Sequence, residues 1–146
     1  MDPIVLRPGE GEKLDIAGNQ LIFKARPEET GGAYVLTDYM AGPGFQGPPP
    51  HRHREMTDAF FVLEGTLTLH LGDETIEAPS GSFVLVPPGN AHTFSNPRDE
   101  PVRFLNLNSP PGFEQYFRDL ADALSGGQFD PAVVGEIAQR YDIEPA

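Results

Sequence analysis

A chain of 146 residues has room for one hydrophobic core and too little for two, so a single domain over residues 1–146 is expected. Ten Lys and Arg against 22 Asp and Glu give a net charge of −12, which repels phosphate backbones and anionic headgroups and argues against nucleic-acid and membrane partners. With no cysteine, disulfides, thiol nucleophiles and thiolate metal sites are excluded; no basic and apolar leader opens the chain and no run approaches the roughly 18 apolar residues of a membrane span, so the cytoplasm is the expected compartment.

The 16 glycines and 16 prolines fall between apolar runs and punctuate short strands. A brief apolar start at Ile4, Val5 and Leu6 gives way to a polar stretch over residues 8–13. Asn19 is a turn residue, and residues 20–24 read as an edge strand. An unpaired edge invites a second copy, so residues 21–24 predict a homodimer. Residues 27–32 read as a loop, and residues 33–40, rich in aromatic and branched side chains, as a strand that leads into Gly42-Pro43-Gly44. Pro48, Pro49 and Pro50 cannot donate ladder hydrogen bonds, so they form a stiff extended run that delivers the histidines beyond it.

Those histidines stand in His51-Arg52-His53. Two residues apart on an extended strand, both imidazoles project from one face, a metal-chelating spacing. Asp58 lies past the polar bend at residues 54–57, where its carboxylate can close on the same point, and Glu55 is an alternative carboxylate. Residues 59–63 are a continuous apolar run, the mark of a strand covered on both faces, and Glu64-Gly65 turns the chain. Residues 66–71 then alternate, with leucines on one face and Thr66, Thr68 and His70 on the other, so His70 is a surface or hydrogen-bonded histidine. Gly72-Asp73 makes a hairpin turn, residues 74–78 return, and residues 83–86 form another apolar strand.

His92 ends Pro87-Pro88-Gly89-Asn90-Ala91-His92, so three of the four histidines sit in two short motifs. Imidazole and carboxylate donors suit one divalent ion, and iron, manganese, nickel, cobalt, copper and zinc are all admitted. Residues 102–108 make the last strand, with Phe104, Asn106 and Asn108 on one face. Short strands with turn residues every eight to twelve positions or so indicate an all-β antiparallel barrel or jelly roll, its core over about residues 20–108. From residue 112 to about 143 the period changes. Phe113, Phe117, Leu120 and Leu124 mark an amphipathic helix that Gly126-Gly127 ends. Asp130 as N-cap and Pro131 open a second short helix with Val133, Val134, Ile137 and Tyr141 as its apolar stripe. Both helices are expected to cover an open end of the barrel.

Gly44, His51-x-His53, Asp58 and Gly65 resemble the first motif of the cupin superfamily, with Asp58 where the family usually has glutamate. Gly81, Pro87-x-Gly89-x-x-His92 and Asn96 match the second motif. The resemblance implies a double-stranded β-helix in which both motifs aim their ligands into one barrel mouth. His51, His53 and His92 would then hold the ion, with Asp58 as a further ligand, an orienting group or the general base. The stretch at residues 113–117 and the tail beyond it are similar to cupins related to quercetin dioxygenase. That likeness implies a metal-dependent dioxygenase acting on a small aromatic or enolic substrate. Tyr39, Phe45, Phe60, Phe94, Phe104 and Asn106 are the candidate pocket residues. Because one fold hosts many chemistries, a metal-dependent isomerase or lyase and a non-catalytic small-molecule binding protein are the alternatives.

Overall fold

In β10 (Val102–Ser109) every second residue, Val102, Phe104, Asn106 and Asn108, is buried, so one face of this strand is turned to the interior. In the computed structural model, which describes residues 1–125, 127, 128 and 130–146, β10 pairs with β3 (Val35–Ala41) on one side and β5 (Thr57–Glu64) on the other. The sheet is completed by β1 (Glu12–Ile16) and β2 (Asn19–Ala25) beyond β3 and by β8 (Phe83–Val86) beyond β5. A second sheet runs β11-β4-β9-β6-β7, formed by β4 (His51–Arg52), β6 (Thr66–Leu71), β7 (Glu74–Pro79), β9 (His92–Ser95) and β11 (Glu144–Pro145). All the pairs are antiparallel, and the two sheets enclose one core in which Leu21, Val35, Val62, Leu67, Leu69 and Phe104 lose all contact with water. This is the expected all-β double-stranded β-helix.

Residues 20–24 are not an edge. Glu12–Ile16 lies outside them, paired through a hairpin whose turn residues Ala17 and Gly18 both have positive φ, 53° and 87°. Its alternation is masked in sequence by Lys13 and Asp15, which face solvent while Ile16 is buried. Residues 21–24 therefore present no unpaired edge on which a second copy could dock. The expected loop at residues 27–32 contains a helical turn, α1 (Pro27–Thr30), where the Glu29 carboxylate accepts the backbone N–H of Arg26 and Gly31 closes the turn at φ 66°. Nor is β5 covered on both faces. Phe61 is 41% exposed, and beside it on the edge strand β8 Phe83 and Leu85 are 60% and 53% exposed.

Two helices follow the barrel. α2 (Phe113–Leu124) buries Phe113, Tyr116, Phe117, Leu120, Ala121 and Leu124 as one stripe, as its periodicity predicts. α3 (Pro131–Ala138) opens on Asp130, whose carboxylate accepts the N–H of Ala132 at 3.0 Å. Tyr141 lies past the end of this helix rather than on its stripe. Gly126, half of the expected helix stop, lies outside the described residues. Among the described residues no helix is long and apolar enough to cross a membrane.

Two local features hold the histidine motifs in place. Gly47 has φ 77°, and a Cβ there would stand 1.7 Å from the carbonyl oxygen of Phe94, so only glycine lets the proline run lie this close to β9. Thr93 then donates to the Pro48 carbonyl at 2.6 Å. Asn96 donates its amide to Gly42 and Glu100 carbonyls at 3.1 and 2.7 Å and accepts the N–H of Arg98, tying its loop as the motif suggests.

Candidate metal centre

β4 and β9 pair so that His51 stands opposite His92, and β10 and β5 pair so that Asn108 stands opposite Asp58. The two sheets thus bring together side chains far apart in sequence, and His53 joins them just beyond β4. One ligand atom from each of His51, His53, Asp58 and His92 lies within 4.8 Å of all the others, and all four residues are buried. His70 is elsewhere, its Nδ1 3.1 Å from Thr75 Oγ1, and Glu55 is exposed on the bend.

Each ring nitrogen on the far side of the group has a main-chain partner. His51 Nδ1 is 3.0 Å from the Pro49 carbonyl, His92 Nδ1 is 3.0 Å from that of Asn90, and His53 Nδ1 is 2.6 Å from that of Asp142. A carbonyl oxygen only accepts, so each Nδ1 carries a proton and Nε2 is the nitrogen turned inward, the atom that offers a lone pair to an ion whenever the ring is neutral. His92 Nε2 lies 3.0 Å and His53 Nε2 3.7 Å from Asp58 Oδ2. His53 Nε2 is buried with no hydrogen-bond partner among the described residues. A buried polar atom left unpaired costs about 1–3 kcal/mol, a cost that an ion at this point would remove.

The carboxylate is held just as firmly. Asp58 Oδ1 accepts amide hydrogens from Asn106 at 2.7 Å and Asn108 at 2.9 Å, which leaves Oδ2 to face the histidines. Burial works against the Asp58 anion, yet the neighbouring His53 and His92 outweigh it and hold the carboxyl well below the ordinary range. Burial, then the adjacent His92, pushes His51 down to about 4, so this ring is neutral at physiological pH. For His53 burial acts downward, but Asp58 and Asp142 pull harder and raise it. Three buried imidazoles and one anion, with donors turned inward, make a group suited to a divalent cation.

Beside the group is a cavity of about 90 Å³. His51, Asp58, Tyr39, Phe45, Phe94 and Asn106 reach it, so four of the six expected pocket residues are in its wall. Phe60 and Phe104 are not. They are packed one layer deeper, Phe104 stacked on Tyr39 with centroids 4.8 Å apart and Phe60 5.8 Å from Phe104. Sequence reasoning missed the rest of the wall, which includes Phe113, Tyr116 and Phe117 of α2, the proline run, Gln139, and Ile143 and Pro145. The α2 stripe is visible in the periodicity, but not that it closes over the histidines.

The cupin domain family matches residues 39–108. Over 128 residues, 87% of this chain, the sequence is 30% identical to Quercetin 2,3-dioxygenase of Bacillus subtilis (strain 168), and it spans 37% of that protein's length. Among solved structures, the polyketide cyclase RemF from Streptomyces resistomycificus is similar with TM-score 0.63 and 24% identity, over 76% of this chain and 81% of that one. A sugar phosphate isomerase of the cupin superfamily from Silicibacter pomeroyi is similar with TM-score 0.65 and 20% identity, over 74% and 76% of the two chains. These likenesses show a shared fold across three different named activities. Motifs, barrel and relatives agree, and the chain belongs to the cupin superfamily.

Proposed function

We propose that this protein is a metal-dependent dioxygenase of a small aromatic or enolic substrate, with His51, His53, His92 and Asp58 holding one divalent ion. The observation that carries this reading is the joining of that inward-facing ligand set to a cavity walled by aromatic rings. A bound divalent ion supplies Lewis acidity that lowers the pKa of a hydroxyl at an open position, and a redox-active one adds electron transfer. Asp58 Oδ2 is the acceptor for the substrate hydroxyl proton. Because His53 and His92 make this carboxylate weakly basic, it can take only a proton that is already acidified. Asn106 and Asn108 fix Oδ1, so the acceptor oxygen stays aimed at the group and the carboxylate does not swing. They also account for aspartate where the family usually has glutamate, since Oδ1 is already at hydrogen-bond distance from both amides.

The cavity wall bears on substrate class. Among the described residues no Lys or Arg lines it; besides the ligands its amide-bearing residues are Asn106 and Gln139. Apart from the ion itself, a phosphate or dicarboxylate would find no cationic side chain there to share its charge, which favours a substrate that is largely uncharged away from the metal. A flat apolar ring would lie against Tyr39, Phe45 and Phe94. Oxygen uptake coupled to loss of enolic aromatic compounds, abolished in the protein carrying both His51→Ala and His53→Ala, is the expected result. Turnover of such compounds without oxygen uptake would instead favour a lyase or isomerase.

Residues 1–146 act in this proposal as one domain, because a single buried cluster runs from Ile16 to Ala138. The protein is also proposed to be a homodimer, though through a different strand from residues 21–24. The edge strand β8 exposes Phe83 and Leu85 beside Phe61, an apolar edge that a second copy would cover. Light scattering at micromolar concentration should give a dimer mass, and a monomer mass would dispose of this part of the proposal.

A further inference from the structure

Two of the three histidines are held by their own neighbours in sequence, and one is not. His51 and His92 each hydrogen-bond a carbonyl two residues before them, so the local backbone orients both rings. His53 instead depends on the carbonyl of Asp142, 89 positions away. The side chain of the same residue holds the chain next to His53. Asp142 Oδ1 accepts the backbone N–H of Arg54 at 2.7 Å, and Oδ2 accepts those of Glu55 and Met56 at 3.0 and 3.1 Å. One carboxylate therefore organises the whole bend that leaves His53, while the carbonyl of that residue sets the ring. Beyond it the chain stays on the motif: β11 pairs Glu144 with Arg52 and Pro145 with His51, and the Ala146 N–H reaches the Pro50 carbonyl at 3.1 Å. Gln139, Ile143 and Pro145 of this segment are also cavity wall.

We infer that Asp142 is a positioning residue for the metal centre, and that residues 139–146 form a strap which holds His53 in its ligating orientation while closing one side of the substrate cavity. This rests on the metal-centre reading above. The strap acts through His53 rather than on the ion, and the physical reason is entropic. Without the three N–H bonds the bend at residues 54–56 is free to sample other conformations, and the His53 ring must then be ordered each time an ion enters. Removal of such an orienting partner costs about 10–100-fold in metal affinity.

The test uses full-length protein and Co(II) alone as the probe, with affinity read by competition against a chelator and ligand geometry read from the visible absorption bands. In Asp142→Ala, Co(II) affinity should fall by about 10–100-fold, with altered visible bands and an unchanged far-ultraviolet circular dichroism spectrum. Asp142→Asn, of equal size, should fall between, because its amide oxygen can still accept one N–H. It also carries the test if the alanine variant does not fold. Glu64→Ala removes only an exposed ion pair with Arg103, away from the strap and the bend, and should change affinity less than about twofold. Affinity within twofold of wild type and unchanged bands in folded Asp142→Ala would overturn the inference while leaving the metal centre intact. Failure of wild type itself to take up Co(II) would overturn the metal centre and the strap together.

Discussion

The two ends of the barrel interior are equally dry and differently made. At one, Phe104, Leu67 and Leu69 are fully buried hydrocarbon with no polar atom in their side chains. At the other, three imidazoles and a carboxylate are buried and held by hydrogen bonds, from the carbonyls of Pro49, Asn90 and Asp142 to the amides of Asn106 and Asn108. A sequence selected for stability alone would fill the second end like the first, because replacing buried ionic groups by apolar ones is often neutral or stabilising. The polar end is the one with a group suited to a divalent cation.

If that contrast is right, substitutions at the two ends have opposite signatures. At the polar end Asp58→Asn keeps size but loses charge and basicity. Turnover should fall by about 10²–10⁴-fold while most of the metal stays on three histidines, as steady-state rates beside metal analysis would show. At the apolar end Phe104→Ala should cost about 3–5 kcal/mol of stability in denaturant unfolding, with one equivalent of metal still bound by the molecules that fold. Loss of metal in proportion to lost stability would erase the distinction. On the outer face, Phe83→Ser and Leu85→Ser should change monomer stability by no more than about 0.5 kcal/mol, since both side chains are more than half exposed. Their effect should be on mass in solution.

Asp142 lies between the two regimes and gives a pH test. Burial pushes its carboxyl up, but the N–H groups of Glu55, Arg54 and Met56 pull harder, and the net shift is downward. A carboxyl lowered in the folded state contributes stability that is full above its ordinary value of 3.8 and is lost as pH falls through the lowered one. The difference in thermal midpoint between wild type and Asp142→Ala should therefore be constant above about pH 4 and shrink below it. A difference that does not change on acidification would mean that the carboxylate is not the group that holds the bend.

The parts of this molecule that are legible in the sequence are those where chemistry demands a fixed spacing. His51 and His53 have to be two apart to share a face, and Asp58 and His92 stand where the motifs put them; all four meet. Depth and cover are less legible. Phe60 and Phe104 look like Phe45 and Phe94 in sequence, and only the register of β5 and β10 sends them below the cavity. The apolar run at residues 59–63 signals burial on both sides, yet Phe61 meets solvent, because nothing in one strand says whether its outer face has a neighbour. β1 is hidden by Lys13 and Asp15 in its outward positions and by an Ala-Gly turn in place of the more usual Asn-Gly. Asp142 has no signal at all. Its partners are backbone atoms 86 to 88 residues away, and backbone hydrogen bonds leave no trace in side-chain pattern.

The central claim is that the buried His51, His53, His92 and Asp58 group exists to hold a divalent ion. Elemental analysis of protein purified without added metal, run beside the variant carrying both His51→Ala and His53→Ala, tests it directly. The account predicts close to one equivalent of a transition metal in wild type and none in the folded double variant. Equal metal content in the two proteins, or none in wild type even after incubation with divalent ions, would contradict it.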